Sequence, residues 1–336
     1  MGIFGNKSIV GVEIDAYGIS AVEMGGTATA PKLLRTGKKA LPADAVKDGK
    51  LLKPAVLTQV LTSLWQEFNI STREVILGVN NQDVLVRFAN FPKVPQNRID
   101  TMIRFQAQAF LPIPVNDVEL DYVIIGEERQ GDTIQIKVLL IAARKNMIYD
   151  FMDAFEAANL MIHDIDMSTL AIARLLPAEA EKGVCAIINI GYEQTNILIL
   201  AASRPHLARS LMTSQTNTED PEAEKNALSV RIKPDGLSQE NIERFFSPIA
   251  GEISNSINYF HSQRPGTNVE KLYLCGYGSK NRNIAQLLKD YTGLTVEVIN
   301  PYRGIELAAV KNKIDVDEAV DFSVSVSLAL GGLGVR

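Results

Sequence analysis

The sequence predicts an α/β protein made of two similar strand-rich halves, with a small α+β subdomain inserted into the first half. Two strand–turn–strand segments, residues 10–20 and 186–196, resemble each other and lie 176 positions apart, about half of the 336 residues. Between them, from residue 84 onward, the apolar pattern follows the order strand, helix, strand, strand, helix. A chain of this length, with 46% hydrophobic and 22% charged residues, has room for two domains.

The first half opens with strands and one helix. A hairpin is predicted over residues 8–24, and a third strand follows near 32–41. Pro54 suits the first turn of a helix, and apolar residues then recur at helical spacing as far as Phe68. A further strand at 75–79 completes this part of the chain.

The inserted subdomain is expected to span residues 84–164. Its first helix ends before Pro112, because proline cannot continue a helix. Apolar and polar residues alternate over 118–124, which is typical of a half-buried strand. A strand at 134–142 and a helix at 147–155 follow, so the segment predicts a compact α+β unit.

The remainder of the chain predicts a second lobe over residues 183–314. The first lobe is then expected to combine 1–83 with 165–182 and 315–336. Residues near 212–245 are rich in Ser, Thr, Asn, Asp, Glu and Pro, which predicts a reduced upper subdomain on the second lobe.

Further elements are predicted after this polar stretch. A helix is expected to start at Pro248, and strands are expected at 272–275 and 295–299. Small residues over 318–330 predict a helix that packs closely against the body of the protein.

Charge and composition exclude several classes of protein. The net charge of −5 argues against a general nucleic-acid binder, which usually carries a strong basic excess. The two cysteines, Cys185 and Cys275, exclude a disulfide framework and are expected in the core. The three histidines, His163, His206 and His261, lack ligand spacing, so no metal site is expected.

The chain shows no segment that predicts direct membrane insertion. No uninterrupted apolar run reaches the roughly 18–20 residues that span a bilayer, and the N-terminus lacks the apolar core of a secretory signal. We therefore expect a cytoplasmic protein that contacts a membrane only through partners.

The two similar turns predict a site between the halves. Two such halves describe the duplicated, ribonuclease H-like architecture of actin, Hsp70 and sugar kinases, in which the turns face each other and hold nucleotide phosphates. Glycine lets the backbone approach phosphate oxygens, and a carboxylate holds Mg²⁺ through water. The candidate nucleotide-binding residues lie on these two turns and on a third: Glu13, Asp15, Tyr17, Gly18, Asn189, Gly191, Gln194, Thr195, Gly276, Gly278 and Ser279.

A longer motif carries a resemblance to one family. Residues 104–114 read Arg-Phe-Gln-Ala-Gln-Ala-Phe-Leu-Pro-Ile-Pro and precede a strand at 117–122 and a turn at 141–145. This order resembles the type IV pilus assembly proteins of the PilM family, relatives of the FtsA-like actins, which carry R-x-E-A-x-x-Y-I-P-F-P at this place. Residues 252–260 and 272–279 resemble the same family, so the likeness covers nearly the whole chain.

The resemblance implies an actin-like fold and a scaffold at the inner face of the cytoplasmic membrane. Proteins of this family bind the cytoplasmic N-terminus of the one-span membrane protein PilN, in a groove between the main domain and the insert, and thereby link to the motor ATPases. The candidate partner-binding residues are Phe91, at the entry to the insert, and Arg104 and Phe105 on its first helix. Alternatively, Phe105 is core and Arg104 is solvated, and helical spacing alone does not decide. Self-association stays open.

Four departures from the family pattern favour a scaffold over an ATPase. Asp15 stands where the family has glycine, Ser20 where it has lysine and Asn189 where it has aspartate, while Tyr277 interrupts a glycine turn. Two like charges 4 Å apart repel by about 4 kcal/mol at an effective dielectric constant near 20. We expect weak binding of ATP with Mg²⁺ or none, and we favour the absence of a cofactor. No appreciable ATP hydrolysis is expected. Gln194 is expected to be a solvated turn residue.

Two other functions use the same architecture. An active ATPase or sugar-type kinase would need intact carboxylates at both turns. An FtsA-like division protein usually ends in an amphipathic membrane helix, whereas residues 322–336 are small, glycine-rich and nearly uncharged.

Overall fold

Two five-stranded sheets with the same strand order form the body of the molecule. The structure, a computed structural model, describes residues 8–16, 18–42, 44–47, 49–81, 83–131, 133–192, 194–212, 239–307 and 316–335. Tyr17 and the centre of the polar stretch near 212–245 lie outside the described residues, and so does the predicted reduction of the upper subdomain.

The first half follows the predicted order of elements. Its strands are rich in β-branched and aliphatic residues, and its helix starts with proline in the first turn. The elements are β1 (Ile9–Ile14), β2 (Gly18–Thr27), β3 (Ala30–Ala40), β4 (Val46–Lys47), β5 (Lys50–Leu51), α1 (Pro54–Glu67) and β6 (Glu74–Val79).

The central segment shows the predicted order strand, helix, strand, strand, helix. It then returns to the first sheet through a further strand and a short helix. The elements are β7 (Val84–Pro92), α2 (Gln96–Gln106), β8 (Val118–Gln130), β9 (Thr133–Arg144), α3 (Lys145–Ala157), β10 (Met161–Met167) and α4 (Ser168–Ala171).

The second half repeats the pattern of the first and ends on a helix that returns to it. The elements are β11 (Val184–Ile190), β12 (Gln194–Ala201), β13 (Arg204–Met212), α5 (Gln239–Gln263), β14 (Lys271–Cys275), α6 (Arg282–Thr292), β15 (Thr295–Val298), α7 (Val316–Ala319) and α8 (Ser323–Gly332).

The strand order shows the predicted duplication. The first sheet runs β10-β6-β1-β2-β3 and the second runs β15-β14-β11-β12-β13. In both sheets the first three strands in this order pair in parallel, and the last three pair antiparallel. Glu13 pairs with Ser20 in the first hairpin, and Asn189 pairs with Asn196 in the second. Glu13 and Asn189 therefore occupy equivalent positions in the two hairpins.

A third sheet, β7-β9-β8, forms the insert and is called the small sheet below. Helix α2 covers one of its faces, and Phe91, Ile99 and Ile103 are buried between them. The expected insert, 84–164, also contained α3, but the apolar face of α3 packs on α1 and the first sheet. The same core includes Val84 and Ala143 of the small sheet, so α3 packs between the insert and the first sheet.

Helix α5 corrects the expected start at Pro248. The helix begins at Gln239 and contains Pro248 in its interior. Proline lacks an amide hydrogen, so the carbonyl four residues earlier, at Arg244, loses its helical donor. Arg244 is exposed.

Helix α8 is the central helix of the first half. Residues 323–330 are all buried, which confirms the close packing predicted from their small size. A side chain at Gly11 of β1 would collide with the backbone of Ser325, so helix and strand touch directly.

Candidate functional site

The turns of the two inner hairpins face each other across a narrow cleft between the halves. Glu13 and Asp15 of the first turn and Asn189, Gly191 and Tyr192 of the second line the same two cavities, which have volumes of about 40 and 20 Å³. A cavity of this size holds at most a few water molecules, whereas ligand pockets measure roughly 300–1,000 Å³. The predicted convergence of the turns is present, but little space is left between them.

The first turn is closed by its own carboxylate. The Asp15 amide donates to the Gly18 carbonyl at 3.0 Å, and the Gly18 amide donates to Asp15 Oδ1 at 2.9 Å. The amide that a phosphate would need is therefore already bonded, and a negative charge lies beside it.

The second turn is held by contacts within itself and with the third turn. The Gly191 amide donates to the Gln194 carbonyl at 2.9 Å, and the Cys275 thiol lies 3.7 Å from Asn189 Oδ1 as a weak donor. Gly276 has φ of +80°, and a Cβ atom there would collide with the Asn189 side chain. Asn189 thus packs onto the third turn.

Three predicted site residues lie behind the cleft and line neither cavity. Thr195 is fully buried in β12. Ser279 Oγ donates to the Gly276 carbonyl at 2.6 Å, and Gly278 packs against Ile190. Their side-chain and backbone groups serve the internal packing of the turns.

Two tyrosines fill the space between the second and third turns. The rings of Tyr192 and Tyr277 stack with centroids 4.0 Å apart and planes 25° apart. Lys38 Nζ donates to the Tyr192 hydroxyl at 2.6 Å and lies 4.5 Å from the centre of its ring. The bulk of Tyr277, already evident in the sequence, therefore narrows the cleft.

Lys38 supplies a cation from a neighbouring strand. It pairs with Ser20 across β2 and β3, so its ammonium enters the cleft at the level where the family pattern has lysine. Lys38 and Lys280 contact Asp321 Oδ2 at 3.3 and 2.8 Å. The other oxygen, Asp321 Oδ1, is buried with no hydrogen-bond partner among the described residues. Sequence reasoning missed this triad, because only the β2–β3 register places Lys38 here.

Glu13 holds a proton at neutral pH. Burial, with a smaller contribution from the nearby Asp15 and Asp321 carboxylates, raises the pKa of this carboxyl to about 8, and Lys38 opposes the shift. A protonated Glu13 donates a proton rather than attracting a cation, so the cleft carries less negative charge than its carboxyl groups suggest.

A second polar cluster, the amide clamp, ties the halves together beside the turns. Asn80, at the end of β6, donates to Gln194 Oε1 at 2.7 Å and also to Asn196 Oδ1. Asn80 Oδ1 accepts from Ser210 Oγ at 2.7 Å and from Thr169 Oγ1 at 3.3 Å. The expectation that Gln194 is a solvated turn residue is wrong, because its amide joins this interdomain cluster.

The predicted partner-binding residues occupy different environments. Phe91 is fully buried and packs on Phe110, with ring centroids 5.3 Å apart, so it is a core residue. Phe105 is 84% exposed, which rules out the alternative that it belongs to the core. Arg104 is exposed, contacts Asp100 at 3.1 Å and donates to the Leu120 carbonyl at 3.3 Å.

A larger groove lies between the small sheet and the second half. It has a volume of about 530 Å³, and β7, β8 and β9 face β13 and the end of α5 across it. The family resemblance implies a groove between the main domain and the insert, and this groove lies at such a junction, although Phe91, Arg104 and Phe105 do not line it. Its aromatic residues, Tyr259 and Phe260, lie at the end of the segment 252–260 that carried part of the family resemblance.

Comparison with known proteins gives a family for these features. The family model described as type IV pilus assembly protein PilM matches residues 11–333. The chain belongs to the PilM family of type IV pilus assembly proteins. The solved structure described as "PilM-PilN type IV pilus biogenesis complex" is similar over 98% of this chain and 99% of that chain, with 26% identity and a TM-score of 0.83.

A more distant structure confirms the fold of this PilM-family chain. The ethanolamine utilization protein EutJ from Carboxydothermus hydrogenoformans matches with 13% identity and a TM-score of 0.55, over 98% of this chain and 91% of that chain. The predicted actin-like α/β fold is confirmed.

Two further properties concern the described part of this PilM-family chain. None of its helices is both long enough and apolar enough to cross a lipid bilayer. No group of three or more His, Cys, Asp or Glu side chains in the same part is placed to hold a metal ion.

Proposed function

We propose that this chain is a cytoplasmic scaffold of the type IV pilus machine that binds the cytoplasmic N-terminal tail of a PilN-like membrane protein. The observation that carries the proposal is the likeness, over nearly the full length of both chains, to the PilM of the PilM–PilN complex. Binding to such a tail would hold the protein at the inner face of the membrane.

The exposed face of α2 is the proposed contact surface for this tail. Phe105 presents nearly its whole ring to solvent, and Arg104 lies beside it with a fixed guanidinium. An exposed aromatic next to an arginine favours binding to a peptide with apolar and acidic side chains. Phe91 takes no part, because it lies beneath this surface.

A calorimetric titration tests the scaffold proposal. The full chain is titrated with a synthetic peptide of the cytoplasmic residues of the PilN-like protein from the same genome. We expect saturable binding that weakens about tenfold in Arg104→Glu, since a charge-assisted contact is worth about 1.5–3 kcal/mol. Arg73→Glu is the control, because Arg73 is an exposed arginine outside α2, in the segment before β6. Absence of binding to the unmodified protein would remove the proposal.

We also propose that the cleft does not hydrolyse ATP. Three observations support this: the first turn is capped by Asp15, the neutral Asn189 replaces a carboxylate, and the cavities hold only a few waters. The residues present do not fit a triphosphate with Mg²⁺, because a carboxylate occupies the position that an anion would approach.

Nucleotide titrations test the second proposal. We expect no heat of binding from ATP with or without Mg²⁺, and no phosphate release above the buffer rate. The triple variant Asp15→Gly/Asn189→Asp/Tyr277→Gly should gain measurable affinity for ATP. The third change opens the cleft. Tight ATP binding by the unmodified protein would show that the cleft opens, and would restore the active-ATPase alternative.

A further inference from the structure

Two polar contacts beside the cleft cross from one half of the molecule to the other. Lys280, which precedes α6 in the second half, contacts Asp321 Oδ2 at 2.8 Å, and Asp321 immediately precedes α8 of the first half. Lys38 of β3 donates to the hydroxyl of Tyr192 on the second turn at 2.6 Å, and it also contacts Asp321 Oδ2 at 3.3 Å. The Lys280–Asp321 and Lys38–Tyr192 contacts are called the latch below.

A shared apolar core joins the halves beneath the cleft. It contains Ile9 and Val22 of the first sheet, Ile187 and Leu198 of the second sheet and Val326 of α8. The halves can therefore separate at the cleft by rotating about this core, without unfolding of either sheet. The amide clamp also joins the halves, but its groups are uncharged, so its hydrogen bonds do not respond to pH.

The charges around Glu13 balance only while Glu13 itself is neutral. Asp15 of the first turn and Asp321 carry one negative charge each, and Lys38 and Lys280 carry one positive charge each. The remaining side chains that line the two cavities, from both other turns, β2 and α8, are uncharged at neutral pH.

The other titratable groups near the cleft keep their charge state around neutral pH. Burial raises the pKa of the Tyr192 hydroxyl and of the Cys275 thiol far above their ordinary values, so both groups stay protonated. Glu318 of α7 is exposed, where water and salt screen its charge. Glu13 is therefore the group whose proton changes the charge of the cleft.

A charged Glu13 would be poorly compensated in the closed cleft. No cation lies within 4.0 Å of its carboxyl group among the described residues. The cavities of about 40 and 20 Å³ hold at most a few water molecules, so they hydrate a carboxylate poorly. Because a buried carboxylate without a partner is unstable, separation of the halves would admit the water that it needs.

We propose that the latch is a pH-sensitive closure, which holds the halves together while Glu13 is protonated and releases them when Glu13 gives its proton to a base in solution. The release depends on neither the proposed tail binding nor a nucleotide.

The direction of the pH response follows from proton linkage. The pKa of Glu13 is about 8 in the closed cleft, and 4.5 is its ordinary value, which applies once water reaches it. The ratio of open to closed molecules should then rise by up to about tenfold per pH unit between these two values and level off above pH 8.

Resonance energy transfer across the cleft tests the proposal. Dyes are attached to Ala55→Cys on α1 and Asn283→Cys on α6, since both positions are exposed and lie in the first turn of helices that start near the cleft. The two native cysteines are buried and do not react. We expect transfer efficiency to fall between about pH 5.5 and 8 and then to stay constant. Transfer efficiency that is constant over this range would overturn the proposal.

Variants that change the count of charges separate the proposal from a general loss of fold. Glu13→Gln should keep the cleft closed throughout the pH range. Asp15→Asn should also keep it closed at about pH 8.5, because a charged Glu13 then balances against the two lysines and Asp321, while the asparagine oxygen still accepts from the Gly18 amide. Lys280→Gln should open the cleft already at neutral pH, because it removes one cation and one latch contact.

A matched control and a fold measurement complete the test. Glu306→Gln removes an exposed carboxylate that pairs with Lys32, and it should respond to pH as the unmodified chain does. Circular dichroism of each labelled variant shows that the sheets stay folded. A pH response that persists in Glu13→Gln, an open cleft in Asp15→Asn at about pH 8.5, or a closed cleft in Lys280→Gln would each overturn the proposal.

Discussion

The cleft and the groove both lie between parts of the chain, yet they differ in almost every physical property. The cleft contains cavities of about 40 and 20 Å³, whereas the groove measures about 530 Å³. Tyr277 is buried against Tyr192 in the cleft, whereas Tyr259 is largely exposed in the groove. The cleft is crowded with carboxyl groups neutralised by lysines, while the groove carries cations around apolar rings.

This difference concerns which groups are already occupied by contacts within the chain. Apart from Asp321 Oδ1, the polar and aromatic groups described above in the cleft have partners within the chain, so a ligand would have to displace those partners. Groups in the groove are open to solvent and lose little when a partner arrives. In this actin-like chain, side chains in the cleft hold the halves together, and the exposed surfaces lie around the insert.

The largest expected effect contrasts two tyrosines. Tyr277→Ala should lower the free energy of unfolding by about 3 kcal/mol, because it removes a buried ring from a stacked pair and leaves a cavity. Tyr259→Ala should lower it by less than about 0.5 kcal/mol, because that ring is mostly exposed. Urea unfolding followed by circular dichroism measures both. Equal losses at the two positions would contradict the contrast between a filled cleft and an open groove.

The second effect concerns the carboxylate between two lysines. Asp321→Asn should destabilise the protein by about 2 kcal/mol, because it leaves the Lys38 and Lys280 charges without their shared partner in a partly buried site. The matched control is Glu306→Gln, which breaks a solvent-exposed pair with Lys32 and should cost less than about 0.5 kcal/mol. Urea unfolding measures both variants. A loss of unfolding free energy in Asp321→Asn no greater than in Glu306→Gln would show that the contacts of Asp321 with Lys38 and Lys280 do not stabilise the fold.

The third effect is a dependence of stability on pH. The pKa of Glu13 is about 8 in the folded protein and 4.5 is its ordinary value, so between these values the folded state binds one proton more than the unfolded state. Stability therefore falls as pH rises through this window. His206, with a pKa of about 4 against an ordinary 6.5, has the opposite sign and offsets this below pH 6.5.

The net loss should therefore be visible between pH 6.5 and 8. We expect about 2 kcal/mol over this interval, from 1.36 kcal/mol per pH unit and proton. Glu13→Gln should remove the slope and make the protein more stable than the unmodified chain at pH 8. A variant that retains the slope would assign it to another group.

Much of the fold follows from local sequence patterns. The alignment of the two hairpins in the sequence predicted that Glu13 and Asn189 occupy equivalent positions. The prediction holds because the pairing register of a hairpin depends on its two neighbouring strands and the tight turn between them. The order of elements in the insert followed from apolar periodicity. The packing of α3 on α1 did not, because periodicity gives the apolar face of a helix but not the surface that covers it.

The candidate site was less predictable, because its partners are distant in sequence. Asp321 lies 283 residues from Lys38, and Asn80 lies 114 residues from Gln194. Turn motifs identify the backbone that approaches a ligand, but they do not show which side chains from elsewhere fill the space. The motif-based site therefore included Thr195, Gly278 and Ser279, which are buried, and omitted Lys38 and Tyr192.

The position of α8 sets an order for folding on the ribosome. The first sheet needs this helix, because Gly11 packs directly on Ser325, yet 314 residues separate the two in the chain. At about 10 residues per second, roughly half a minute passes between their synthesis. Among the described residues, the core around α5, by contrast, draws on residues from 184 to 296. The face of the first sheet that α8 covers therefore stays open until the end of translation, whereas its other face is covered earlier by α1 and α3.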